Sequence, residues 1–79
     1  MRFNPLQFAM PVGEKSPLAA VAIKDSGIRQ QFDVIAIAIK KQSGKMVFNP
    51  GPDYLIEGGD VLIIMGDKEQ LARLRRVLA

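Results

Sequence analysis

A chain of 79 residues has room for one domain, because domains seldom run much below about 50 residues and half of this length could not build a core. It contains no cysteine and no histidine, which argues against disulfides, against zinc, copper or haem ligation, and against the usual nucleophile–base pairs of covalent catalysis. Eleven Lys and Arg against eight Asp and Glu leave a net charge of +3, and Phe3, Phe8, Phe32, Phe48 and Tyr54 are too scattered to make the aromatic-lined basic footprint of a nucleic-acid binder.

The opening segment, residues 3–12, reads as extended. Ser16-Pro17 then signals a helix start, with serine as N-cap and proline at the first helical position. Leu18, Val21 and Ala22 share one face of that helix, and Gly27 ends it in a left-handed conformation. Residues 34–39, "VIAIAI", form a β-branched alternation. Its period places Ile35, Ile37 and Ile39 on one face and Val34, Ala36 and Ala38 on the other, with both faces covered.

Residues 40–45 are a polar turn and residues 46–48 a short third strand, which "NPGPD" (49–53) terminates because its prolines and glycine cannot continue a ladder. Gly58-Gly59 permits positive φ in a tight turn, and Asp60 is placed to bond turn backbone before the strand at 61–65. Gly66 closes that strand. Asp67 caps a final helix, with Gln70 completing a capping box and Glu69 in the first turn. Leu71, Leu74, Val77 and Leu78 make its buried stripe. Arg73, Arg75 and Arg76 read as a solvated face that complements the helix dipole.

The resulting order is β-α-β-β-β-α, an α+β domain with a small, largely antiparallel sheet and two helices. A fold this small buries only about 60% of its unfolded surface. Pairing with a second copy, or attachment to a larger body, is the expected source of further stability. The longest apolar runs, 34–39 and 61–65, are far short of the roughly 20 residues of a membrane span. The N-terminus lacks the features of a signal peptide, so the expected location is cytoplasmic.

Catalytic and metal motifs are absent from the sequence. Asp25, Asp33, Asp53 and Glu57 fall at element ends without the spacing of a calcium loop, and no phosphate-binding glycine fingerprint occurs. The stretch least explained by folding alone is "GIRQQFDV", residues 27–34. Ile28 and Phe32 suit the core, whereas Arg29 stands between the helix end and the central strand. Its planar fork either binds phosphate or carboxylate, or pairs with Asp25 or Asp33.

Three segments in order, "SPLAAVAIKDSGIRQQFDVIAIAIKK", "NPGPDYLIEGGDVLIIMGD" and "KEQLARL", resemble the RCK_C domain, also called TrkA-C. This is the C-terminal regulatory module of bacterial potassium channels, potassium uptake systems and some cation antiporters. The resemblance spans nearly the whole chain and implies a single domain over residues 1–79, excised from a longer protein, that forms a homodimer. It also implies an N-terminal RCK_N-type domain and a membrane pore subunit as partners in the full-length protein.

Several members of that family bind cyclic di-AMP in the groove between two paired domains, and others sense mono- or divalent cations or have no known ligand. Transferred by position, the resemblance implies that Ile28 packs on an adenine and Arg29 contacts phosphate. Gln31 and Asp33 then lie along the groove, Pro50 lines its edge, and residues 27–34 and 49–53 together make the contact surface. Gln31 and Asp33 depart from the small and uncharged residues usual there, which keeps a mono- or divalent cation as the alternative regulatory ligand. No cofactor, metal site, catalytic residue or nucleic-acid partner is implied. The competing readings are a purely structural dimerisation module, distinguished by the absence of any ligand effect, and a small RNA-binding β module, distinguished by salt-dependent RNA binding.

Overall fold

A computed structural model describes residues 6–79. Its elements are β1 (Leu6–Pro11), β2 (Val21–Ala22), a 3₁₀ turn (Ile23–Asp25), β3 (Ile35–Lys40), β4 (Met46–Phe48), β5 (Leu55–Ile56), β6 (Val61–Gly66) and α1 (Lys68–Leu78). The strands β1, β6, β3 and β4 form one antiparallel sheet in that spatial order, and β2 pairs with β5 in a separate two-stranded ribbon. The architecture is α+β with an antiparallel sheet, as the sequence implies. The opening residues of the expected first strand, 3–5, lie outside the described residues.

The helix expected from Ser16 to Gly27 does not form. Ala20 takes a left-handed φ of 69°, and its N–H donates to the Ile56 carbonyl at 2.6 Å. Val21 and Ala22 then pair with Ile56 and Leu55. A cap signal and a short apolar spacing are weak local preferences that tertiary pairing overrides. Ser16 still binds a nearby N–H, that of Leu18 at 3.1 Å, and its hydroxyl donates to the Val77 carbonyl at 2.7 Å, tying this turn to α1.

At the other helix, Asp67 occupies the N-cap position with extended backbone, but its side chain makes no capping bond. The expected capping box is therefore absent, and Gln70 instead accepts a hydrogen bond from Arg73 at 2.9 Å. Leu71, Leu74 and Leu78 are buried as their spacing requires, and Val77 packs against them in part.

A bulge overturns the expected faces of β3. Ala36 stands opposite Ile64, but Ala38 stands opposite Ile63, so Ile37 is the extra residue. One inserted residue reverses the alternation beyond it. Ile39 consequently joins Ala36 on the face that holds Met10, Leu62 and Ile64, whereas Ile35 and Ala38 point to the opposite side. Helix α1, the β2–β5 ribbon and the 23–34 segment all pack on the first face around a core that includes Ile28, Val34, Ile39, Ile56, Leu62 and Leu71. The opposite face stays open. It displays Ile35, 54% exposed, Phe48, 72% exposed, and Met46, 40% exposed.

The turn before β6 carries a buried carboxylate paired with a lysine. Gly59 has φ of +88°, and Gly58 approaches so closely that an added Cβ would lie 2.7 Å from the Glu14 Cα. Gly58 is thus required for space and Gly59 for conformation. Asp60 is 1% exposed; its Oδ2 accepts the Glu57 N–H at 2.9 Å and Lys41 Nζ at 2.6 Å. Lys41 also reaches Glu57 at 2.7 Å. Burial alone would push the Lys41 ammonium down, but its hydrogen bonds to Asp60 and Glu57, with their charges, overcome that and hold it above its ordinary value of 10.5.

Candidate functional site

Residues 26–34 form a corner locked by its own polar groups. The Ser26 hydroxyl donates to the Ile23 carbonyl at 2.6 Å and accepts the Ile28 N–H at 3.2 Å. Gly27, at φ +77°, lets its carbonyl receive the Gln31 N–H at 2.7 Å, and the turn closes with Val34 N–H on the Ile28 carbonyl at 3.1 Å. Asp33 sits at φ 52°, a conformation that aspartate tolerates better than most residues. Ile28 and Val34 anchor the corner in the core, and the backbone carries Arg29 outward between them.

Arg29 borders two depressions. The larger, about 340 Å³, has an apolar lining of Ile23, Ile28, Ile35 and Ala36 on one side and the 49–52 segment on the other. The smaller, about 240 Å³, lies toward the end of β6 and adds Asp33, Met65, Gly66 and Asp67 to Arg29. An added Cβ on Gly66 would meet Val34 Cγ2 at 3.0 Å, so this glycine lets the corner seat against β6.

The walls of the larger groove are held at a fixed separation. Ile23 N–H donates to the Tyr54 carbonyl and Lys24 N–H to the Pro52 carbonyl, each at 2.9 Å, while Asn49 N–H donates to the Ile37 carbonyl at 2.8 Å. Lys24 and Asp53 form an exposed ion pair at 2.9 Å, which adds little stability. That hydrogen bond, with the charges of Asp53 and Asp25, raises the Lys24 pKa above its ordinary value.

Of the residues proposed from the sequence, Ile28, Arg29 and Pro50 meet at this groove. Ile28 is fully buried and contributes floor. Asp33 instead lines the smaller depression on the far side of Arg29. Gln31 folds back over Gly27, where an added Cβ would lie 2.9 Å from its Cδ. Among the described residues neither Asp25 nor Asp33 forms an ion pair with Arg29, so that guanidinium retains all of its donors.

Ile23 and Ile35 belong to the groove and were not singled out from the sequence, whereas Asn49 lies in the 49–53 segment expected there as contact surface. Asn49 carried a usable signal, since asparagine is favoured at positive φ and here adopts 47°. The combination of apolar walls, one amide and a guanidinium without an ion pair among the described residues suits a heteroaromatic ligand bearing a phosphate. Among the described residues no group of three or more His, Cys, Asp or Glu side chains is assembled to hold a metal ion.

The TrkA-C domain family model matches residues 8–79. The chain is 43% identical over 54 residues to potassium channel protein 1 of Methanocaldococcus jannaschii, covering 68% of this chain and 16% of that protein. It thus spans under a fifth of that relative's length. The RCK_C domain dimer of Streptococcus agalactiae BusR in complex with cyclic di-AMP superposes with a TM-score of 0.82 at 28% identity, over 91% of this chain and 93% of that one. The RCK C domain of the potassium transport protein KtrA, also in complex with cyclic di-AMP, gives 0.80 at 30% identity, over 91% and 81%. With the family match running from within β1 through the end of α1, this chain belongs to the TrkA-C domain family.

Proposed function

We propose that this chain is a non-catalytic sensor domain of a potassium transport system, that it works as a homodimer, and that its ligand is cyclic di-AMP bound at the Ile28–Arg29 corner. The observation that carries the proposal is the Arg29 guanidinium, without an ion pair among the described residues, at the rim of a groove floored by Ile28 and walled by Pro50. Support comes from two similar domains at 28% and 30% identity, each described in complex with that nucleotide.

The open sheet face supplies the dimer surface, since Ile35, Met46 and Phe48 form exposed apolar area that a second copy would remove from water. In the full-length protein the domain follows an RCK_N-type domain on the cytoplasmic side and acts on a membrane pore subunit. No helix among the described residues is long and apolar enough to cross a membrane. Regulation then requires only that the nucleotide bind two arrangements of the dimer unequally, because a ligand with equal affinity for both shifts nothing.

Calorimetric titration with cyclic di-AMP, beside sedimentation analysis, tests the proposal. One ligand per dimer is expected for the native sequence, with binding weakened by about 2 kcal/mol or more in Arg29→Ala, the typical value of a charge-assisted hydrogen bond. Binding unchanged in Arg29→Ala would move the site elsewhere. A dimer that binds no nucleotide would leave a structural dimerisation module.

A further inference from the structure

Between α1 and β1 lies a groove of about 300 Å³ with a floor of Phe8, Met10 and Leu71 and a rim of Lys68, Arg75 and Arg76. Residues three and four apart share one side of a helix, so Lys68 and Arg75 flank Leu71, and Arg76 stands one turn beyond Ala72, which also lines the groove. The Arg75 guanidinium stands 5.9 Å from the centroid of the Phe8 ring, which stations a charge over the apolar floor. No acidic side chain lines this groove, and among the described residues none of its three cations forms an ion pair.

The strand beside it is an open edge. β1 has β6 as its single neighbour in the sheet, and outside that ladder residues 6–11 make no backbone hydrogen bond among the described residues. Natural sheets protect such edges with charged side chains on the strand itself. Here the exposed side chains among those described in β1 are Gln7, Phe8, Ala9 and Pro11, none of them charged, and the proline interrupts only the last position.

We propose that this corner is a docking site for an extended acidic segment of another protein, added to β1 as a fifth strand of the sheet. Six residues of edge offer about 20 Å of unpaired backbone. Alternate side chains of an added strand would point into the groove about 7 Å apart, so carboxylates reach Lys68, Arg75 and Arg76 while an apolar side chain covers Phe8. A second copy fits poorly, because antiparallel pairing of two β1 strands would set two cationic rims side by side. The proposal shares no residue with the groove at Arg29 and stands without the nucleotide reading.

The probe is a fluorescein-labelled peptide of about eight residues, a length matching β1, in which threonine alternates with glutamate or a single valine. Its binding to the whole chain is followed by fluorescence anisotropy and by amide shifts in nuclear magnetic resonance. Saturable binding is expected, with shifts at residues 7–10. It should be weakened about tenfold or more in Arg75→Glu/Arg76→Glu, two exposed positions whose substitution circular dichroism can verify as folded. Lys68→Glu gives an independent check. Alternate backbone N-methylation of the peptide should abolish binding.

Absence of saturation overturns the proposal. So does equal affinity for the N-methylated peptide, or tighter binding of a single-stranded oligonucleotide of about 20 nucleotides, a general polyanion; either means that no strand is added. Shifts at residues 7–10 that grow with protein concentration alone would hand the edge to a second copy and overturn it equally.

Discussion

Replacing Lys41 by methionine removes the cation bonded to Asp60, whose side chain is 2% exposed, and leaves its carboxylate with the Glu57 N–H. Removing one partner of a buried pair costs about 3–5 kcal/mol because the remaining charge is uncompensated. The Lys41 side chain is 15% exposed, so some water reaches the pair and the lower end, about 3 kcal/mol, applies. Its contact with Glu57, a carboxylate 62% exposed, adds no more than about 1 kcal/mol. Against a total stability of about 4–12 kcal/mol for a chain of this length, the loss is large, and it lowers Tm by about 12–24 °C.

Urea unfolding followed by far-ultraviolet circular dichroism measures that cost, with Glu57→Ala as the comparison. A Lys41→Met cost below about 1 kcal/mol, or a larger cost for Glu57→Ala, would refute the assignment of Asp60 as the residue that needs the cation. The pH dependence has a definite sign. The folded Lys41 pKa is raised above 10.5, so the stabilisation is fully present below that pH and is lost as pH climbs through the folded value. The gap between native and Lys41→Met midpoints should therefore be constant near neutrality and shrink above about pH 10.5.

Gly58→Ala should destabilise the chain by about 1–3 kcal/mol, since its Cβ would press on backbone that cannot yield as a flexible side chain would; an unchanged urea midpoint would refute that close approach. Asp33→Gly should strengthen cyclic di-AMP binding by about fivefold, roughly 1 kcal/mol for withdrawing one nearby negative charge. It should also spare stability, because glycine accepts φ 52° freely. Calorimetry beside thermal unfolding separates the two effects, and an affinity that falls would give Asp33 a direct ligand contact.

The elements most legible in the sequence were those whose signals are local and mutually consistent. The strand at 46–48 was read to the residue, and β6 and α1 were bounded by Gly58-Gly59, Gly66 and the leucine spacing. What escaped depends on partners distant in the chain. Val21 and Ala22 become a strand because residues 55–56 lie alongside, and nothing between Ser16 and Gly27 encodes that pairing. The bulge at Ile37 preserves the composition of "VIAIAI" while reversing its faces, so periodicity alone misplaces Ile39. Asp60 was read as a turn residue, but its cation lies 19 positions away. At the candidate site, Arg29 was conspicuous because nothing in its own segment explained it. The opposite wall, 49–52, was legible as a strand breaker from its prolines and glycine, and as a groove edge only through the family resemblance.

Ile35 joins the two halves of the proposed function. It lines both depressions around Arg29, and the bulge leaves it on the open sheet face, 54% exposed. A second copy that covers this face therefore touches a residue that also touches the ligand, which gives binding and assembly a shared contact through which to couple. Phe48, at 72% exposed, lies on the same face but lines neither depression. Ile35→Ser should accordingly weaken dimerisation and nucleotide binding together. Phe48→Ser should weaken dimerisation by about 2 kcal/mol for a buried aromatic and affect the nucleotide only through the loss of dimer. Because linkage is reciprocal, saturating cyclic di-AMP should recover the Phe48→Ser dimer in sedimentation analysis more completely than the Ile35→Ser dimer. Equal recovery of both would show that ligand and interface meet somewhere other than Ile35.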